Sequence, residues 1–123
     1  SVPDLYLILS PELKILNASD AYLAATMVKR EDIIGHAVFD IFPKNPDDPR
    51  SLRTIKNFNR SIESIFKTKK AHAMPIQRYD IKRPISLGGE YEERYWRSLN
   101  IPVLDKQNRV KYIIHRVEDA TEI

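Results

Sequence analysis

The chain of 123 residues has 20 Lys and Arg against 17 Asp and Glu, a formal net charge of +3, with 42% hydrophobic and 30% charged residues. Those proportions suit one globular domain long enough to bury a core, and no apolar run approaches the roughly 18–20 residues that cross a bilayer. Cysteine is absent, which excludes disulfides, thiolate metal sites and cysteine nucleophiles and fits a cytoplasmic setting.

The start, Ser1-Val2-Pro3-Asp4, lacks Met and has no basic region followed by a long apolar stretch, so a secretory signal is not expected. Residues 1–123 are read as a single domain excised from a longer protein, any membrane anchor lying outside them. The densest basic cluster, Lys67-Thr68-Lys69-Lys70, falls at an expected helix end, where cations complement the helix dipole. Without aromatic-basic interleaving, nucleic acid is not an expected partner.

Leu5 to Leu9 and Leu13 to Leu16 are short apolar runs around the turn signal Ser10-Pro11-Glu12, which predicts a first hairpin. Ser19 or Asn17 caps a short helix whose Tyr22, Leu23 and Ala25 or Thr26 face inward. Lys29 to Ile34 reads as a second helical turn stopped by Gly35, and Ala37 to Phe42 as a third, ended by Pro43. Pro43, Pro46 and Pro49 with Asn45, Asp47 and Asp48 form a polar loop, and the Asp47-Asp48 pair reads as a turn before a cation site. The clear long helix is Ser51 to Lys69: Leu52, Ile55, Phe58 or Asn59, Ile62, Ile65 and Phe66 recur at helical spacing, with Arg53, Lys56, Arg60 and Glu63 opposite. A strand over Ala73 to Ile81 follows, and Ile85 to Glu90, with Gly88-Gly89, connects onward.

Glu93 to Leu104 and Arg109 to Glu118 then flank the turn Asp105-Lys106-Gln107-Asn108, which predicts a long hairpin. Pairing Leu104 with Arg109 sets Asn100 opposite Ile113 and Ser98 opposite His115. One face carries Leu99, Ile101, Val103, Val110, Tyr112 and Ile114 and is nearly all apolar. The other carries Trp96, Ser98, Asn100, Ile113, His115 and Val117. Neither face is plainly wet, so both require cover. The element order gives an α+β fold: a five-stranded antiparallel sheet with short helices and one long helix on one face.

Three segments extend this reading: Ile15-Leu16-Asn17-Ala18-Ser19-Asp20-Ala21-Tyr22-Leu23, then Arg30-Glu31-Asp32-Ile33-Ile34-Gly35, then Pro102-Val103-Leu104-Asp105 through Asp119-Ala120-Thr121. In order and spacing the chain resembles a Per-ARNT-Sim (PAS) sensor domain over nearly its whole length. Asn108 stands where the family commonly has glycine, and Lys82 to Glu90 is longer than its usual tight turn. The resemblance implies a sensory and dimerisation module of a bacterial signalling protein, foremost a sensor histidine kinase in a two-component system. Asp119 and Thr121 match the closing motif that hands over to an output domain in the same parent chain.

The resemblance also turns the Val117 and His115 side of the hairpin toward the helices, although hydrophobic patterning alone selects the opposite face as core. The implied ligand pocket then gathers His115, Asn100, Trp96, Ser98 and Val117, with Tyr79 and Ile62 as further candidates. The apolar set Leu99, Ile101, Tyr112 and Ile114 becomes a face for a second protomer, giving a homodimer. For His115 the plain alternative is a core histidine bonded to a backbone carbonyl, and for Trp96 a core aromatic whose N–H finds a partner. Arg97 and Arg116 fall on the outer face, solvated or paired with Glu118 or Glu92.

A flavin adduct needs a reactive cysteine, and haem-binding members use a histidine on the long helix; this chain offers neither, so the cofactor stays open as an unidentified small molecule. His36, His72 and His115 show no metal-ligand spacing. No phosphate loop, nucleophile elbow, triad or kinase signature is present, so no catalytic residue is assigned. Two readings compete: a cytoplasmic small-molecule sensor, and a ligand-free dimerisation module whose interior is filled by Trp96 and Tyr79.

Overall fold

The computed structural model describes residues 3–122. Its elements run β1 (Leu5–Leu9), β2 (Ile15–Ala18), α1 (Asp20–Thr26), α2 (Arg30–Ile33), α3 (Val38–Ile41), α4 (Arg50–Thr68), β3 (His72–Arg78), β4 (Ile81–Lys82), β5 (Tyr91–Glu92), β6 (Tyr95–Leu104) and β7 (Val110–Asp119). Five strands pair antiparallel in the order β2-β1-β7-β6-β3, so the predicted long hairpin β6–β7 occupies the middle of the sheet. Strands β4 and β5 form a separate two-stranded ribbon.

Local chemistry sets the ends of the elements. Ser19 caps α1 by accepting the Tyr22 N–H at 3.2 Å, and its hydroxyl also accepts the Tyr6 N–H at 3.1 Å, so one side chain starts the helix and ties it to β1. Gly35, at φ +84°, takes the left-handed turn after α2 and donates its N–H to Ile15 O at 2.7 Å. Asn108 adopts φ 61° in the β6–β7 turn, where Asp105 Oδ1 accepts the N–H groups of Gln107 and Arg109.

The expected α+β architecture and the faces of the hairpin hold, and its register moves by two residues. Asn100 stands opposite His115, Ser98 opposite Val117 and Pro102 opposite Ile113. An irregularity between Val103 and Leu104 places Leu104 opposite Val110, while Val103 meets Tyr112, so Lys111 is the extra residue. The bulge turns Val110 inward: it is 8% exposed and belongs to the core, against its expected place on the outer face. A shift of two preserves side-chain parity, and hence the faces.

Two further expectations change. The strand expected over residues 73–81 ends at Arg78, and Ile81 begins the separate ribbon. The cause is Asp80, whose carboxylate is buried and holds Arg78 by two hydrogen bonds of 2.9 and 3.0 Å, pulling the backbone out of the ladder. On α4 the inward stripe is Ser51, Phe58, Ser61, Ile62 and Ile65, so Phe58 and not Asn59 faces the core. Leu52, expected inside, is 44% exposed because Ser51 occupies the buried position of that turn. The core lies between the helices and the sheet face carrying Leu7, Leu9, Ile113 and Val117.

Candidate ligand-binding site

Between α1, α3, α4 and that inner sheet face lies a cavity of about 80 Å³. Its walls are Tyr22 from α1, Val38 and Phe39 from α3, Phe58 from α4, Met74 and Gln77 from β3, Trp96 and Ser98 from β6, and His115 and Val117 from β7, with Phe42, Thr54, Tyr79 and Ile81 closing the ends. Not one of these fourteen residues is Asp, Glu, Lys or Arg. The aromatic rings lock edge to face: Tyr22 on Phe42 at 5.9 Å, Phe39 on Phe58 at 5.4 Å and Phe58 on His115 at 5.2 Å between centroids.

Of the residues expected to contact a ligand, Trp96, Ser98, His115, Val117 and Tyr79 line this cavity together, whereas Asn100 and Ile62 are buried behind its wall. Trp96 donates its indole N–H to Tyr79 O at 2.8 Å, and Tyr79 donates its hydroxyl to Phe42 O at 2.5 Å, so both polar tips serve the protein. Asn100, fully buried, accepts at Oδ1 from His115 Nδ1 at 2.6 Å and donates from Nδ2 to Ser61 Oγ at 2.9 Å. An amide oxygen only accepts, so the His115 proton sits on Nδ1 and Nε2 keeps a lone pair. Burial lowers the His115 pKa to about 4, keeping the ring neutral near pH 7.

Sequence reasoning placed Tyr22 inward but not at the site. Its ring is 7% exposed and lines the cavity, and its hydroxyl has no hydrogen-bond partner among the described residues. Burial raises its pKa well above the usual phenol range, with Tyr79 adding to the shift, so the group is a neutral donor. The helical pattern of α1 carried the inward facing of Tyr22; the cavity beside it is a tertiary property. Thr54 and Gln77 are also in the wall, but Thr54 donates to Arg78 O at 2.8 Å and Gln77 accepts from Asn57 at 2.9 Å.

At the closing motif, Asp119 Oδ2 accepts from Arg94 at 3.0 Å, Asp119 Oδ1 accepts the Thr121 N–H at 3.0 Å, and Thr121 Oγ1 accepts the Tyr95 N–H at 3.1 Å. Burial pushes the Asp119 carboxyl up, but the bonds from Thr121 and Arg94 outweigh it and hold the pKa below its usual value. On the outer face, Leu99, Ile101, Tyr112 and Ile114 stand together and half-buried, joined by Tyr6 and Ile8 of β1. Arg97 pairs there with Glu118. Among the described residues no cluster of His, Asp and Glu has metal-site geometry, and no helix is long and apolar enough to cross a membrane.

A five-stranded antiparallel sheet with short helices and one long helix thus encloses the cavity. The PAS fold family model matches residues 1–123, and the chain belongs to that family. Among solved structures, a PAS domain from Colwellia psychrerythraea is similar at TM-score 0.74 with 11% identity, over 98% of this chain and 88% of that one. A sensory box sensor histidine kinase from Vibrio cholerae gives 0.66 and 13%, over 99% and 85%. The Drosophila melanogaster Cycle PAS-B domain, solved with ethylene glycol bound, gives 0.70 and 14%, over 94% and 98%. No curated protein matches the sequence significantly.

Proposed function

We propose that this PAS domain is the sensory module of a bacterial signal-transduction protein, foremost a sensor histidine kinase, and that it binds a small ligand in the cavity between the helices and the inner sheet face. The observation that carries the reading is a cavity between helices and sheet whose wall is apolar apart from a few polar side chains, Tyr22 and His115 among them. Ligand sites are mostly apolar with a few placed polar atoms. Drug-sized pockets run to roughly 300–1,000 Å³, so a space of about 80 Å³ fits a molecule far smaller than a flavin or a haem.

Relay follows from where the walls lead. Val117 lines the cavity two residues before Asp119, and Trp96, also in the wall, pairs with Asp119 across the ladder. A ligand that prefers one placement of these strands biases the Asp119–Thr121 clasp, and through it the output domain; only differential affinity for two arrangements does this. The parent acts on the cytoplasmic side as a homodimer, the protomers meeting through Leu99, Ile101, Tyr112 and Ile114. A second reading, a ligand-free interaction module, draws on that apolar outer face, half-exposed in the monomer.

Trp96 is the chain's sole tryptophan and lies in the cavity wall, so its fluorescence reports occupancy. Titration of the domain with neutral molecules of a few heavy atoms is expected to give saturable shifts in Trp96 emission. Emission indifferent to every such molecule would favour the interaction-module reading.

A further inference from the structure

Four polar side chains form a line from the cavity to the solvent. His72 on β3, Asn100 on β6 and His115 on β7 are direct cross-strand partners and stand on one rung of the sheet. Ser61 of α4, fully buried, bridges two of them: its Oγ lies 2.9 Å from Asn100 Nδ2 and 2.7 Å from His72 Nδ1. The direction of the donors follows from the Asn100 amide, whose Oδ1 faces His115 and whose Nδ2 faces Ser61. His115 Nδ1–H donates to Asn100 Oδ1, Asn100 Nδ2–H donates to Ser61 Oγ, and the Ser61 hydroxyl, already accepting, donates to His72 Nδ1. The 3.5 Å contact of Asn100 Nδ2 with Met74 Sδ, a weak acceptor, favours the same amide orientation. Every donor therefore points from the cavity outward, and His115 Nε2 is left as an acceptor without a partner among the described residues.

We propose that the cavity takes a small neutral molecule that donates a hydrogen bond to His115 Nε2. The inference rests on the cavity being a ligand site and names what that site selects. Neutrality follows from walls that hold no charged side chain, since an ion there loses its hydration without gaining a counter-charge.

His115 itself stays neutral over the range in which histidines titrate, because burial lowers its pKa to about 4.

The matched probes are pyrrole, whose N–H donates, and furan, a ring of the same size without a donor. Long-range proton–nitrogen NMR at about pH 8, above the histidine range, is expected to show the His115 proton on Nδ1. Pyrrole is expected to shift the Nε2 resonance and bind about tenfold tighter than furan, the ratio one net hydrogen bond of ~1.4 kcal/mol gives. Equal affinity for the two rings, or a proton on Nε2, overturns the proposal and leaves the cavity reading standing. If neither ring moves any cavity resonance, both fall together.

Discussion

Arg78→Ala is expected to destabilise the domain by about 3–5 kcal/mol, the cost of removing one partner from a buried charge pair. Arg78 Nε sits 2.9 Å from Asp80 Oδ1 and 3.2 Å from Asp48 Oδ2, and the two carboxylates are 1% and 4% exposed. It is the cation that both share. Asp80 also accepts from Asn45 at 2.9 Å, so the cluster joins the loop before α4 to the point where β3 leaves the sheet. Arg50, 3.0 Å from Asp48 but 53% exposed, is a weak substitute. For a chain of this length the loss corresponds to a fall of about 10–20 °C in Tm.

The pH dependence gives a second readout of the same variant. Burial pushes the Asp80 carboxyl up, but hydrogen bonds from Arg78, Asn45 and the Arg94 N–H outweigh it, so its folded pKa is depressed. Its stabilisation is therefore complete above the unfolded carboxylate value of about 3.9 and is lost as pH falls through the lower folded value. Without Arg78 the burial of Asp80 favours its protonated form, and the sign of its contribution reverses. Thermal melts should show wild type losing stability from about pH 7 to 5, because His115 stays neutral when folded while its unfolded counterpart takes a proton below about 6.5, and Arg78→Ala losing less over that range. A variant with the wild-type Tm and the wild-type pH profile would show the cluster to be energetically idle.

Ser98→Leu is expected to abolish binding of small molecules in the cavity without harming the fold. Ser98 lines the cavity between Met74 of β3 and Val117 of β7, its cross-strand partners, and its hydroxyl has no protein partner among the described residues. Leucine at that position adds apolar atoms to a space of about 80 Å³. Each buried methylene is worth about 0.8 kcal/mol, against an overpacking cost of about 1–3 kcal/mol where room is lacking. A filled cavity thus leaves stability unchanged or raised by about 1 kcal/mol, while the Trp96 response to small molecules disappears. Strong destabilisation in denaturant unfolding, with the response intact, would mean that Ser98 does not face free space.

The sequence carried the faces of the sheet better than its register. Period-two alternation survives any even shift, so Asn100, His115 and Val117 share a side although the register moves by two: one residue from the turn, where Leu104 meets Val110 and not Arg109, and one from the bulge at Lys111, which leaves no signal in the composition of that strand. Hydrophobic patterning alone would have buried the wrong face, because the inner one hides polar groups that satisfy each other. On α4 the helical period found Phe58, Ile62 and Ile65 but placed Leu52 inside, since Ser51 and Ser61 fill buried turns without an apolar label. The Ser61–His72 contact joins a helix to the following strand, and nothing local to either residue announces it. Ser61 did stand in register with Phe58 and Ile65, which was the available clue to a buried hydroxyl needing a partner.

Occupancy of the cavity is tested most directly by native mass spectrometry of the purified domain under gentle and denaturing conditions, which reads a bound molecule and the oligomeric state together. The account predicts an added small mass on the folded domain, lost on denaturation, and lost as well from folded Ser98→Leu. A folded wild-type domain that carries no added mass, even when sprayed from solutions of small neutral hydrogen-bond donors, would contradict it.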